Sequence, residues 1–257
     1  MNEQNPKERR PRGIYLLPNL FTIGSLFAGF YAIVAAFKGS YEPAAISIFI
    51  AMIMDSLDGR VARLTNTMTP FGAELDSLAD MVSFAIAPAL LIYSWALSDL
   101  GKFGWLSVFI YTVSVALRLA RFNTQVGGKH YFQGLPCPAG AAVVTSLVWV
   151  GSDLSISQPT VNILLALVTI LISALMVSNV RYRSFKDTDF KNNVPFVVIL
   201  ATVLIIVLIS VSPAIVLLAV FSAYAISGPI MTIWGLQQRK RLKKELLKKR
   251  RLSQENK

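Results

Sequence analysis

Cysteine and histidine each occur once in this 257-residue sequence, as Cys137 and His130. A single cysteine excludes an intramolecular disulfide and any cysteine metal cluster. A single histidine excludes a paired-histidine phosphohydrolase working through a phosphohistidine. Cys137 stands between Pro136 and Pro138 without an evident base, so covalent catalysis is not expected. Acids are scarce too: 14 Asp and Glu face 25 Lys and Arg, for a formal net charge of +11. Internal repeats, low-complexity linkers and any soluble module that would carry this charge to a nucleic acid are all missing. One domain and no nucleic-acid partner are therefore expected.

What is abundant is apolar sequence, 54% of residues with a mean hydropathy of +0.56. This reads as an all-α, polytopic membrane helical bundle. Eight spans are expected, at about Tyr15–Phe37, Pro43–Arg63, Gly72–Leu97, Phe103–Phe122, Pro138–Gly151, Val161–Val180, Val194–Val211 and Pro213–Leu236. The fifth is short and only Ser212-Pro213 parts the last two, so six or seven stays open. Residues 1–14 form a basic N-terminus, 15–236 the transmembrane catalytic domain and 237–257 a basic tail. Met1–Arg12 is polar and basic, and Tyr15–Phe37 is too long for a cleaved signal, so it reads as a retained first span. With eight spans, every basic residue except Lys38 and Lys102 lies on the side of the termini, which the positive-inside rule makes cytoplasmic. The run Arg239 to Arg251 either lies along anionic membrane lipids or is a solvated tail.

Against this background four carboxylates stand out, in Asp55-Ser-Leu-Asp58-Gly59-Arg-Val-Ala62-Arg63 and Gly72-Ala-Glu-Leu-Asp76-Ser-Leu-Ala-Asp80. They border apolar runs, where ionisable groups are expensive and usually functional. At about 100° per residue, Asp55, Asp58, Gly59 and Ala62 share one helical arc and Gly72, Asp76, Asp80 and Ser83 another. Two facing acidic stripes would repel strongly unless divalent cations neutralised them, and oxygen-only ligands suit Mg²⁺ or Mn²⁺. Gly59 and Gly72 leave both faces without bulk, and Arg63 adds a fixed cation suited to phosphate. Capping or salt-bridging of two helix ends is the structural alternative.

The full spacing, D-x2-D-G-x2-A-R-x8-G-x3-D-x3-D, resembles the signature of the CDP-alcohol phosphatidyltransferases at every position. The resemblance implies that Asp55, Asp58, Asp76 and Asp80 ligate one or two divalent metals and that Asp80 is the general base. It also implies that Gly59, Ala62 and Arg63 contact the diphosphate of a CDP-alcohol, with Gly72 beside them. Asn19 and Thr22, in Pro18-Asn19-Leu20-Phe21-Thr22, resemble the family's P-N-x-x-T opening beside the nucleotide pocket. Read as residues alone, they serve equally as helix cap and backbone partners.

The acceptor is expected to be read by Arg118, Arg121, Asn123 and Lys129. Arg118 and Arg121 are i,i+3 neighbours that can grip a carboxylate or phosphate by forked hydrogen bonds, or can merely snorkel at a span end. The stretch Arg118-Leu-Ala-Arg121-Phe-Asn123, followed by Lys129-His-Tyr-Phe132-Gln-Gly134-Leu135-Pro136-Cys137-Pro138-Ala139, resembles the serine-using branch of the family, with Gly140 where an alanine is expected. That resemblance implies CDP-diacylglycerol and L-serine as substrates, and homodimerisation, which is usual in the family. It favours a bacterial inner membrane with a cytoplasm-facing active site. A sister transferase using glycerol 3-phosphate or another alcohol, and a cation transporter, are the competing readings.

Overall fold

The computed structural model describes residues 16–124, 132–154, 158–182, 196–232 and 234. Helices α1 (Leu16–Phe37) and α2 (Tyr41–Thr65) form an antiparallel hairpin. Gly39, at φ +74°, turns the chain between them. Helix α2 stops at Asn66, whose left-handed φ of 50° lets Thr67 N–H reach back to the Ala62 carbonyl at 3.0 Å. Thr69 then caps α3 (Pro70–Asp80): its Oγ1 accepts from Gly72 N–H at 3.0 Å, and Pro70 takes the first helical turn.

Helix α3 runs without a break into α4 (Ala87–Ile92) through a π-turn at Met81–Ile86, and onward through a second π-turn at Tyr93–Leu97. A π-turn loosens the backbone ladder and leaves carbonyls in need of donors. Two tyrosines supply them: Tyr111 Oη donates to Phe84 O at 2.8 Å, and Tyr41 Oη donates to Ser94 O at 3.2 Å. The rod from Pro70 to Leu100 is 31 residues long. At about 1.5 Å per residue it exceeds the ~30 Å hydrocarbon core, so its acid-bearing start has room near an interface.

Helix α5 (Lys102–Thr124) returns along this rod. Helices α6 (Cys137–Asp153) and α7 (Pro159–Val177) follow, then α8 (Phe196–Val211) and α9 (Pro213–Thr232). Twelve of the 17 residues of α6 are buried, which makes it the central helix. Among the described residues the bundle is helical except for one short ladder that the sequence did not signal. Here β1 (Phe132–Gln133) pairs antiparallel with β2 (Arg181–Tyr182). Two-residue strands are too short to show periodicity, and only α6 and α7 between them bring them together.

Alanines line the closed part of the α1–α2 hairpin: Ala28, Ala32, Ala35 and Ala36 are buried with Ala44, Ala45, Ile48 and Ala51. Lipid is as apolar as a leucine side chain, so helices in a membrane gain by close backbone approach rather than by escaping water. Gly29 shows the same logic at its limit, because an added Cβ would lie 2.7 Å from Ser83 Cα.

Each of the eight expected segments contains a described helix. Among the described residues, five helices are long and apolar enough to cross a membrane: Leu17–Phe37, Pro70–Leu100, Lys102–Thr124, Pro159–Val177 and Pro213–Thr232. The other three fall short for visible reasons. Helix α2 carries the acids and arginines of the motif, and α6 and α8 have only 17 and 16 residues.

Candidate active site

Three elements meet at the cleft. The start of α1 supplies Pro18, Asn19 and Thr22; the end of α2 supplies Asp58, Gly59 and Ala62; and the start of α3 supplies Gly72 and Asp76. Together with Thr67, Thr69 and Phe122 they enclose a cavity of about 230 Å³. Five of the six residues expected to contact a CDP-alcohol, Asn19, Thr22, Gly59, Ala62 and Gly72, line it. The sixth, Arg63, does not: it is exposed at the rim, and its Nε donates to Gly59 O at 2.8 Å. The two glycines differ. A Cβ at Gly59 would meet nothing within 4 Å, so that side of the cleft is open space. At Gly72 it would come within 3.2 Å of Asn19 Oδ1 and Thr69 Oγ1, so here the missing side chain lets α1 approach the α3 cap.

The acids divide three and one. Carboxylate oxygens of Asp55, Asp76 and Asp80 all lie within 4.8 Å of one another. The acidic stripes of α2 and α3 thus face each other, as helical geometry predicts. Asp58 stands outside this triad, buried, and its Oδ2 accepts from Thr22 Oγ1 at 2.8 Å. Thr22 also donates to Pro18 O at 3.2 Å. Its hydroxyl thus serves the helix and the acid motif together, a link across 36 residues that the sequence reading missed. Asp80 Oδ1 is buried and without a hydrogen-bond partner among the described residues. A buried, unpartnered carboxylate oxygen carries a large desolvation penalty. The donor set, three converging carboxylates and no nitrogen or sulfur, fits a hard divalent cation.

The acceptor candidates are brought to one side of the bundle but do not converge. Arg118 Nη1 donates to Cys137 Sγ at 3.3 Å, at the start of α6, while its Nε is buried and without a hydrogen-bond partner among the described residues. Arg121 turns away, its Nη2 donating to Asn179 Oδ1 at 3.2 Å, so the two arginines do not form one fork. Asn123 Nδ2 donates to Ser77 Oγ at 2.9 Å, tying the end of α5 to the acid-bearing helix. Lys129 lies outside the described residues, as do His130, the N-terminal basic stretch and the tail from Arg239 to Arg251.

The loop before α6 is held by its glycine. Gly134 has φ +80°, its N–H donates to Val180 O at 2.9 Å, and a Cβ there would collide with the Met176 carbonyl. Gly140, the departure from the expected alanine, has a packing reason: the Sδ–Cε end of Met176 fills the space a side chain would take.

Residues 15–184 match the CDP-alcohol phosphatidyltransferase family. The chain belongs to that family. Its curated relatives include a CDP-diacylglycerol–serine O-phosphatidyltransferase of Helicobacter pylori, 38% identical over 69% of this chain and 76% of that protein. The protein of the same name from Bacillus subtilis is 37% identical over 68% of this chain and 94% of its own length. An archaetidylserine synthase of Methanothermobacter thermautotrophicus is 36% identical over 65% of this chain and 69% of its own. Within this family the five apolar helices mark an integral membrane protein, and the Asp55–Asp76–Asp80 cluster is a candidate metal centre. Helices α8 and α9 lie beyond the family match.

Proposed function

We propose that this phosphatidyltransferase moves the phosphatidyl group of CDP-diacylglycerol to the hydroxyl of L-serine, giving phosphatidylserine and CMP. The observation that carries the reading is a pair of buried atoms of opposite character, Asp80 Oδ1 and Arg118 Nε, neither with a hydrogen-bond partner among the described residues. A serine zwitterion complements both, with its carboxylate on the guanidinium and its hydroxyl proton toward the carboxylate. The names of the relatives support the same acceptor.

In this reading the cleft takes the CDP diphosphate against Gly59, Ala62 and Gly72, with Arg63 closing over it and Asn19 and Thr22 beside the nucleotide. Asp55, Asp58, Asp76 and Asp80 would hold one or two Mg²⁺ or Mn²⁺ ions, which would supply the positive charge that a diphosphate in an acidic cleft requires. Asp80 takes the proton of the serine hydroxyl. The hydroxyl oxygen attacks the lipid-side phosphorus, the bond to the bridging oxygen breaks, and CMP leaves with that oxygen and its charge. No covalent enzyme intermediate forms. Arg118, with Arg121, Asn123 and Lys129 around it, holds the acceptor. The chain makes eight spans in the bacterial inner membrane, α3 and α4 together forming one of them, with the cleft facing the cytoplasm, the acyl chains entering sideways and the basic tail on anionic lipids. The enzyme works as a homodimer.

The test is CMP release by the purified protein with Mn²⁺ or Mg²⁺, given serine, glycerol 3-phosphate and inositol phosphate separately. Serine-dependent release is expected, with loss on chelation. Release with another acceptor alone would keep the cleft chemistry and remove the reading of Arg118. The Arg118→Ala variant should raise the KM for serine more than that for CDP-diacylglycerol.

A further inference from the structure

Tyr182 is a buried polar side chain away from the cleft, and its surroundings connect two parts of the chain that the family match separates. Its ring sits in a seat on α9: an added Cβ at Gly228 would run into it, and the Tyr224 ring lies 5.5 Å away, tilted by 41°. Its hydroxyl donates to Ala225 O at 2.9 Å. Burial pushes the phenol up to about 12, so it stays a donor at any physiological pH. The strand that carries Tyr182 also reaches the acceptor side. Phe132 pairs with Tyr182 in the ladder, Gly134 N–H donates to Val180 O, and Asn179, three residues before Tyr182, accepts from Arg121.

We infer that Tyr182 is a positioning residue for acceptor binding: seated in α9, it fixes β2 and the residues just before it, Asn179 and Val180, which in turn orient Arg121 and the Gly134–Pro136 loop. Helix α9, outside the family match, thereby acts on the affinity for the acceptor without touching it. The inference rests on the reading that Arg121 belongs to the acceptor site. A chain of hydrogen bonds and one packed ring transmits the effect, and a wrong strand position of even 1 Å is enough to misplace a guanidinium.

The experiment compares Tyr182→Phe, Tyr182→Ala, Gly228→Leu and Arg121→Ala in the full-length protein, with thermal unfolding in detergent as the check of folding. Gly228→Leu evicts the ring from the α9 side and leaves the strand sequence intact. Tyr182→Ala and Gly228→Leu should raise the KM for serine about 10-fold while the KM for CDP-diacylglycerol moves less than about twofold. Tyr182→Phe, which keeps the ring, should restore most of the wild-type serine KM. If Arg121→Ala raises the serine KM but folded Gly228→Leu and Tyr182→Ala leave it unchanged, the positioning inference fails and the acceptor reading stands. If Arg121→Ala itself leaves the serine KM unchanged, the acceptor role of Arg121 fails and the inference falls with it. A rise of both substrates' KM values together would also overturn it, since a general loss of structure acts on both.

Discussion

The two ends of the α1–α2 hairpin are built on opposite principles. Near the turn, Ala32, Ala35 and Ala36 meet Ala44, Ala45 and Ile48, and no space is left between the helices. At the other end, the same two helices carry Thr22, Asp58 and Gly59, and they border a cavity of about 230 Å³ that α3 completes. Close packing of small residues at one end holds the backbones rigid, and this lets the other end keep polar groups apart around a ligand-sized space. A catalytic cleft with charges fixed before substrate arrives needs such a frame.

The sharpest way to break the contrast is chemical. Asp80→Asn keeps the shape of the open end and removes its base. Its kcat should fall by about 10²–10⁴-fold, with the unfolding temperature unchanged or raised because a buried charge is gone. Turnover near wild type in a folded sample would move the base elsewhere.

A smaller effect is expected at the closed side. Gly29→Ala forces a methyl group onto the Ser83 backbone, and overpacking of this kind costs about 1–3 kcal/mol. The unfolding midpoint in detergent should drop, and CMP release should fall with it.

Between the two ends lies Thr22. Thr22→Val keeps its shape but leaves the buried Asp58 carboxylate without its donor, at about 1–3 kcal/mol. The loss should be largest in metal-free protein and shrink when Mn²⁺ is added, because a cation then satisfies Asp58. An equal loss with and without Mn²⁺ would place Asp58 outside the metal site.

The smallest change sharpens the comparison most, since it is the Gly29 substitution made at the open end. Gly59→Ala meets nothing within 4 Å, and alanine is favoured over glycine inside a helix by about 0.8–1 kcal/mol. Stability should rise slightly while the KM for CDP-diacylglycerol increases. A glycine retained at the cost of stability is then explained by what fills the cleft.

The acid motif was legible because its residues lie within two helices in sequence neighbourhood. Helical periodicity alone put Asp55 on one face and Asp76 with Asp80 on another, and the triad follows once α2 and α3 are brought together. The cleft glycines and Asn19 were legible through the motif as well. The acceptor side was not. Arg118 and Arg121 share a face by spacing, yet one bonds to Cys137 and the other to Asn179, 58 residues away, and no local pattern carries that information. The Thr22–Asp58 bond, the β1–β2 ladder and the seat of Tyr182 on α9 were missed for the same reason.

The sequence by itself determined that this is a membrane helical bundle with a carboxylate cleft. Hydropathy follows from composition in a window, and the acid spacing follows from the fixed turn of a helix. Only the tertiary structure decided that three acids converge while the fourth is tied to Thr22, that Asp80 and Arg118 keep atoms without a partner among the described residues, and that α9 holds Tyr182. Those facts depend on how closely particular helices approach one another. That closeness is set by small residues such as Gly29 and Gly228, whose partners Ser83 and Tyr182 lie far away along the chain.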